Sequence, residues 1–166
     1  KHACRIFFIA QEILVDFSSY PTQSITQRSH EFRTIGLGYA NLGTLLMTEG
    51  IAYDSEKGRA MAGAITAILT GQGYAISAEL ASIKGPFERF EENQEPMMRV
   101  MKQHRDAAYK IDVRYCPNDL LEAAREEWDL AIKLGEKYGY KNAQATVIAP
   151  TGCLVGGSLV STDKGL

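Results

Sequence analysis

The stretch Ala149-Pro150-Thr151-Gly152 has the residue types of an anion-binding turn, and it follows a β-prone run, Gln144-Ala145-Thr146-Val147-Ile148. A strand end followed by proline, a hydroxyl residue and glycine can aim free backbone N–H groups and one side-chain donor at an anion. Such sites lie beyond the carboxyl ends of strands in α/β proteins. An ordinary strand-to-loop turn has the same composition, so the four residues alone leave both readings open. After Gly152 the pattern changes. Cys153-Leu154-Val155-Gly156-Gly157-Ser158-Leu159-Val160-Ser161-Thr162 puts a thiol at the head of a second short run, which suits a chemistry other than phosphate binding.

The elements that must position these residues are mostly helical. Residues 3–17 carry Ile6, Ile9, Ala10, Ile13, Leu14 and Phe17 at helical spacing, which predicts an amphipathic helix. A short polar helix is expected over 23–32 after Pro21, and another over 41–49, closed by Gly50. Asp54 or Ser55 caps a long helix over 56–84. Gly63, Gly71 and Gly73 lie inside it. Each glycine costs about 1 kcal/mol in a helix, so close packing against a neighbouring helix is the expected compensation. Gly85-Pro86 is a stop. A helix over 91–109 and one over 119–138, capped by Asn118 and ended by Gly139, complete the helical body. The expected fold is mainly α with one or two short strands. A lone strand over 143–148 leaves backbone donors and acceptors without partners, which points to part of a larger α/β protein.

Composition removes several classes. The net charge of −2 gives no basic field for nucleic acid. No apolar run approaches the roughly 18 residues of a membrane span, and residues 1–5 lack a signal-peptide cleavage site. The three cysteines, Cys4, Cys116 and Cys153, form no CxxC pair, which argues against a disulfide scaffold or structural zinc and favours a reducing cytoplasm. His2, His30 and His104 have no metal-ligand spacing, so no metal is expected. Gly36-Leu37-Gly38-Tyr39-Ala40-Asn41 nearly spells a dinucleotide fingerprint, but Asn41 stands where the third glycine belongs and no strand is expected before it; the glycines are read as helix packing. His104-Arg105-Asp106 copies part of a kinase catalytic loop without its metal-binding asparagine and is read as a solvated helix face.

Five blocks in order carry a resemblance: Lys1-His2-Ala3-Cys4-Arg5; Ile35-Gly36-Leu37-Gly38-Tyr39-Ala40-Asn41-Leu42-Gly43; Tyr53-Asp54-Ser55-Glu56-Lys57-Gly58-Arg59-Ala60; Ala78-Glu79-Leu80 through Lys84-Gly85-Pro86-Phe87; and Asn142-Ala143-Gln144-Ala145-Thr146-Val147-Ile148-Ala149-Pro150-Thr151-Gly152. Together they closely resemble the large chain of ribonucleotide reductases of the adenosylcobalamin-dependent kind. The resemblance covers residues 1–152 and implies the C-terminal half of a ten-stranded α/β barrel. It implies replacement of the ribose 2′-hydroxyl by hydrogen through a thiyl radical, with adenosylcobalamin as radical source. It further implies a ribonucleoside di- or triphosphate substrate, a dithiol reductant such as thioredoxin, and a homodimer of the full enzyme. Ala149, Pro150, Thr151 and Gly152 map onto the family's substrate-phosphate loop. The family's Asn-x-Cys-x-Glu radical motif does not occur in the sequence and is expected upstream of Lys1; Cys4 and Cys116 are read as structural. Residues 153–166 instead resemble the start of an intein of the Hint type. That likeness implies Cys153 as the splicing nucleophile of an N-to-S acyl shift, with a first strand over 158–162 and a hairpin turn at Asp163-Lys164-Gly165.

Overall fold

The structure is a computed structural model that describes residues 1–149. The strand expected over 158–162 and the hairpin turn after it lie outside the described residues. Six helices appear in order: α1 (His2–Phe17), α2 (Gln23–Phe32), α3 (Leu42–Thr48), α4 (Glu56–Lys84), α5 (Phe90–Tyr109) and α6 (Asn118–Tyr138). The mostly helical expectation holds, with element ends within a residue or two.

Local chemistry explains the boundaries. The Thr22 hydroxyl accepts from the Ile25 N–H at 3.3 Å to start α2, and the Ser55 hydroxyl accepts from the Gly58 N–H at 3.0 Å to start α4. Of the two candidate caps for α4, Ser55 is the one used. Asn118 is not the cap of α6: the helix begins at Asn118 itself, behind Pro117, with no side-chain cap. Proline suits that end because its missing N–H would have had no helical partner. Gly139 closes α6 at φ 72°, in a backbone region that glycine alone enters without strain.

The long helix α4 is the centre of the molecule, buried along most of its length. The expected role of its glycines is met at Gly71, where an added Cβ would lie 3.0–3.1 Å from Glu127 and Trp128 of α6. Phe8, Tyr74, Phe87, Phe90, Trp128 and Tyr140 fill the core between α1, α4, α5 and α6. Tyr140 folds back under α6, and its hydroxyl donates to the Ala131 carbonyl at 3.1 Å. Only a glycine at 135 leaves room for that ring, since a Cβ there would stand 2.2 Å from its far end. Gly135→Ala is therefore expected to lower stability by about 2 kcal/mol, the cost of displacing one packed ring, as read by urea unfolding.

The face of α1 differs from expectation. Phe8, Glu12 and Val15 are buried, whereas Ile6, Ile13, Leu14 and Phe17 are exposed, Phe17 at 82%. The helix is apolar on two sides, and its contacts within the described residues use the Phe8 side.

No named strand occurs among the described residues; the extended chain is joined by one parallel bridge, Leu37 to Thr146. Thr146 does have a partner, and it comes from residues read as helix packing in the sequence. The partner was hidden because the two segments are more than a hundred residues apart, with α3 to α6 in the connection between them.

Candidate functional site

The site begins at this parallel pair, residues 34–38 beside residues 143–147. The Ala143 N–H donates to the Phe32 carbonyl at 2.9 Å, Ile35 to Gln144 at 3.0 Å, Leu37 to Ala145 at 3.1 Å, and Val147 to Leu37 at 3.0 Å. Ile35, Leu37 and Ala145 are buried in the helical core. The glycines on either side of Leu37 now have a physical role. A Cβ on Gly36 would stand 2.7 Å from the Val147 side chain, and one on Gly38 would stand 2.3 Å from the Val147 carbonyl oxygen. The Gly-x-Gly pattern thus admits a neighbouring backbone rather than a cofactor or a helix.

The segment 143–148 carries the chain toward the predicted turn. Ala149 is half-buried at its end. Pro150, Thr151, Gly152 and Cys153 lie outside the described residues. The C-terminal end of the pair is tied to α4 by hydroxyls: Tyr39 to Thr66 at 2.7 Å, and Thr146 to Thr70 at 3.1 Å. Beside it, between α4, α5 and α6, lies a cavity of about 580 Å³ lined by Gly63, Thr66, Thr70, Trp128, Thr146 and Ile148 among others. His104 stands at its wall, exposed and stacked on Trp128 with ring centroids 5.4 Å apart. Arg105 pairs with Asp129 on α6 at 2.5 Å. The kinase-like triplet is thus a helix surface, as expected.

A polar network that the sequence reading missed locks the other end of the pair. Asn142 is fully buried. Its side-chain amide donates to the Glu12 carboxylate and, at 2.9 Å, to the Arg33 carbonyl. The Ser77 hydroxyl donates to the Asn142 carbonyl oxygen at 2.8 Å and accepts the Asn142 backbone N–H at 3.0 Å. Arg33, in the left-handed region at φ 50°, reaches Glu12 through Nε and Asp16 through Nη1, both at 2.6 Å. The hydrogen bond from Arg33 holds the Asp16 carboxyl below its ordinary pKa against desolvation. Desolvation, and then the nearby Arg33 charge, pulls the Lys141 ammonium below its ordinary value. One signal in the sequence pointed here: Glu12 falls on the Phe8–Val15 face of α1, and a carboxylate on a buried face needs a partner.

Burial pushes the Tyr74 phenol up, with the Ala145 backbone hydrogen bond acting the other way. It also pushes the Cys116 thiol up, away from nucleophilic use. Cys4 is half-buried against the core. Among the described residues no group of three or more His, Cys, Asp or Glu side chains could hold a metal ion, and no helix is long and apolar enough to cross a membrane.

Helices packed on a parallel pair of extended segments are a piece of an α/β architecture. The model of the ribonucleotide reductase barrel domain matches residues 1–159, and the chain belongs to that family. It is 57% identical over 154 residues to a vitamin B12-dependent ribonucleotide reductase of Rhodopirellula baltica, covering 93% of this chain and 15% of that protein. A protein of the same description from Agrobacterium fabrum is 47% identical over 169 residues, covering 93% of this chain and 13% of the relative. One from Streptomyces avermitilis is 50% identical over 148 residues, covering 87% and 15%. The chain thus spans about one seventh of the length of these curated relatives.

Proposed function

We propose that the chain serves in the reduction of ribonucleotides to deoxyribonucleotides, as part of an adenosylcobalamin-dependent enzyme, and that its residues 149–152 cradle the substrate phosphates. The observation that carries this is the combination of family membership with a parallel pair whose C-terminal end leads into Ala149-Pro150-Thr151-Gly152. In the reaction, hydrogen replaces the ribose 2′-hydroxyl, which leaves as water, while a dithiol such as that of thioredoxin is oxidised to a disulfide. The phosphate turn would fix a di- or triphosphate through backbone N–H groups and the Thr151 hydroxyl, orienting the ribose. Adenosylcobalamin supplies the radical. No residue of this chain is assigned to adenosylcobalamin. The exposed apolar face of α1, from Ile6 to Phe17, supports the further proposal that more of a ten-stranded barrel packs against these helices; the cytoplasmic location and the homodimer of the full enzyme are proposed from the family alone.

Two measurements test the reading. Titration with inorganic pyrophosphate is expected to shift the backbone amides of Thr151 and Gly152 to saturation, with Thr151→Val weakening the effect several-fold. Absence of any shift in the unsubstituted chain would reject the phosphate reading. With adenosylcobalamin and a dithiol but no Asn-x-Cys-x-Glu motif, the 166-residue chain is expected to turn over no ribonucleotide; turnover would refute the assignment of the radical cysteine to a segment upstream.

A second proposal concerns residues 153–166. The pattern Cys153-Leu154-Val155-Gly156-Gly157-Ser158 favours the start of an intein, although the family match runs past Gly152 to residue 159. In that reading the Cys153 thiol adds to the Gly152 carbonyl. The amide C–N bond breaks, a thioester forms, and the Cys153 amine is released. With a downstream intein half present, hydroxylamine should cut after Gly152 and leave a hydroxamate there. Equal cleavage in Cys153→Ala, or none in the parent, rejects the proposal.

A further inference from the structure

We propose that the cavity between α4, α5 and α6 is a binding site for a planar, uncharged aromatic heterocycle, held by its ring in an apolar slot and by a hydrogen-bond acceptor on its edge. The site is separate from the phosphate reading of residues 149–152, and every wall of it belongs to the described residues. Its volume of about 580 Å³ falls within the roughly 300–1,000 Å³ of small-molecule pockets. Small side chains make the room. Gly63 lines it from α4 and Ala107 from α5. A Cβ added at Gly63 would meet no atom outside α4 nearer than Ile111, at 3.7 Å. Gly63 therefore does not serve helix contact as Gly71 does; it opens the slot.

The lining selects the ligand. No aspartate, glutamate, lysine or arginine contributes to it. An ion placed there would lose hydration without gaining a charged partner, so the occupant is neutral. His104 and Trp128, stacked on each other, supply aromatic surface at the wall, against which another ring packs well. Two hydrogen-bond donors are left over at the same cavity. Trp128 is 1% exposed. A buried indole N–H ordinarily finds an acceptor, and that of Trp128 has none among the described residues. Thr70 and Thr146 share one bond at 3.1 Å and make no other side-chain bond among the described residues. Two hydroxyls carry two protons, and one mutual bond uses one of them. Whichever hydroxyl accepts still has a proton to give. Thr66 differs, because its proton goes to the Ala62 carbonyl at 2.8 Å and its oxygen accepts from Tyr39. The groups left unmatched are donors. A ring nitrogen or ring carbonyl satisfies them, whereas a plain hydrocarbon would leave them dry and unpaired.

The test titrates the 166-residue chain with quinoline at neutral pH and follows it by NMR. Indole is the comparison: it has two fused rings as well, but an N–H where quinoline has a lone pair. Quinoline is expected to saturate with a Kd on the order of 1 mM, the scale for a ligand of about ten heavy atoms. It should shift the Ile111 and Ile148 methyls and the Trp128 indole N–H, which is the only indole resonance of the chain. Indole should bind about fivefold more weakly, the scale of one neutral hydrogen bond. The double variant Thr70→Val, Thr146→Val keeps the side-chain shapes and removes the spare proton. It should weaken quinoline about fivefold and leave indole unchanged. Ala107→Leu narrows the slot from an exposed position and does not depend on that variant folding; it should weaken both ligands. No saturable quinoline shift in the parent chain overturns the site, as does binding that Ala107→Leu leaves unchanged. Equal affinity for quinoline and indole overturns the assignment of an acceptor-bearing ligand.

Discussion

Asn142→Ala is expected to destabilise the chain by about 4 kcal/mol. The side chain is fully buried and serves three partners at once: Glu12, the Arg33 carbonyl and Ser77. Each buried polar group left without a partner costs about 1–3 kcal/mol, more when it is charged. Glu12 keeps its bond to Arg33 at 2.6 Å, which limits the loss on that carboxylate. The Arg33 carbonyl and the Ser77 hydroxyl lose their Asn142 side-chain partner outright. Asn142→Asp sharpens the point. An ionised aspartate there cannot donate to Glu12 and places a second carboxylate against it, so its pKa must rise on folding. The folded state then holds a proton that the unfolded state releases, so stability falls as pH rises between the two pKa values. At pH 7 this variant should be at least as unstable as Asn142→Ala, and it should recover relative to the alanine as pH is lowered. Urea unfolding of both variants from pH 5 to 8 measures this. A loss below about 1 kcal/mol for Asn142→Ala would show that the network is not what holds residues 142–144 in place.

The helices were legible because their signals are local. Apolar spacing, the Ser55 cap and the Gly85 and Gly139 stops all act within a turn or two of chain, and the structure places the ends where those signals stand. The inward face of α1 was not legible from spacing, because Ile6, Ile13 and Leu14 on one side rival Phe8 and Val15 on the other. The charged Glu12 was the better guide: its partners Arg33 and Asn142 make that face habitable. The segment 34–38 was missed for a different reason. Its strand pattern is interrupted by Gly36 and Gly38, which have low strand propensity, and its partner at 143–147 is distant in sequence. The same two glycines that disguised it are what the pairing requires. For residues 149–152 the sequence offered residue types alone; Pro150, Thr151 and Gly152 lie outside the described residues, which add the parallel partner of the segment before them.

Gly38→Ala should separate the pair. Gly38 does not have a positive φ, so alanine suits its backbone, and the effect comes from contact alone. The added methyl would stand 2.3 Å from the Val147 carbonyl oxygen, which is backbone and cannot rotate away. The two segments must move apart, weakening the bonds from Val147 to Leu37 and from Leu37 to Ala145. Two hydrogen bonds at about 1 kcal/mol each, together with a packing strain of about 1–3 kcal/mol, give an expected loss of about 3–5 kcal/mol. Gly36→Ala is the internal control. Its methyl would meet the Val147 side chain at 2.7 Å, and a side chain can turn. That variant should cost only about 1 kcal/mol, and Val147→Ala in the same chain should relieve it. The pair also separates a structural effect from a site effect. Because Val147 stands two residues before Ala149, Gly38→Ala should abolish the pyrophosphate-induced shifts at Thr151 and Gly152 even in conditions where the helices remain folded by circular dichroism. Gly36→Ala should keep them. Equal behaviour of the two glycine variants would mean that the spacing of the pair does not set the position of the turn.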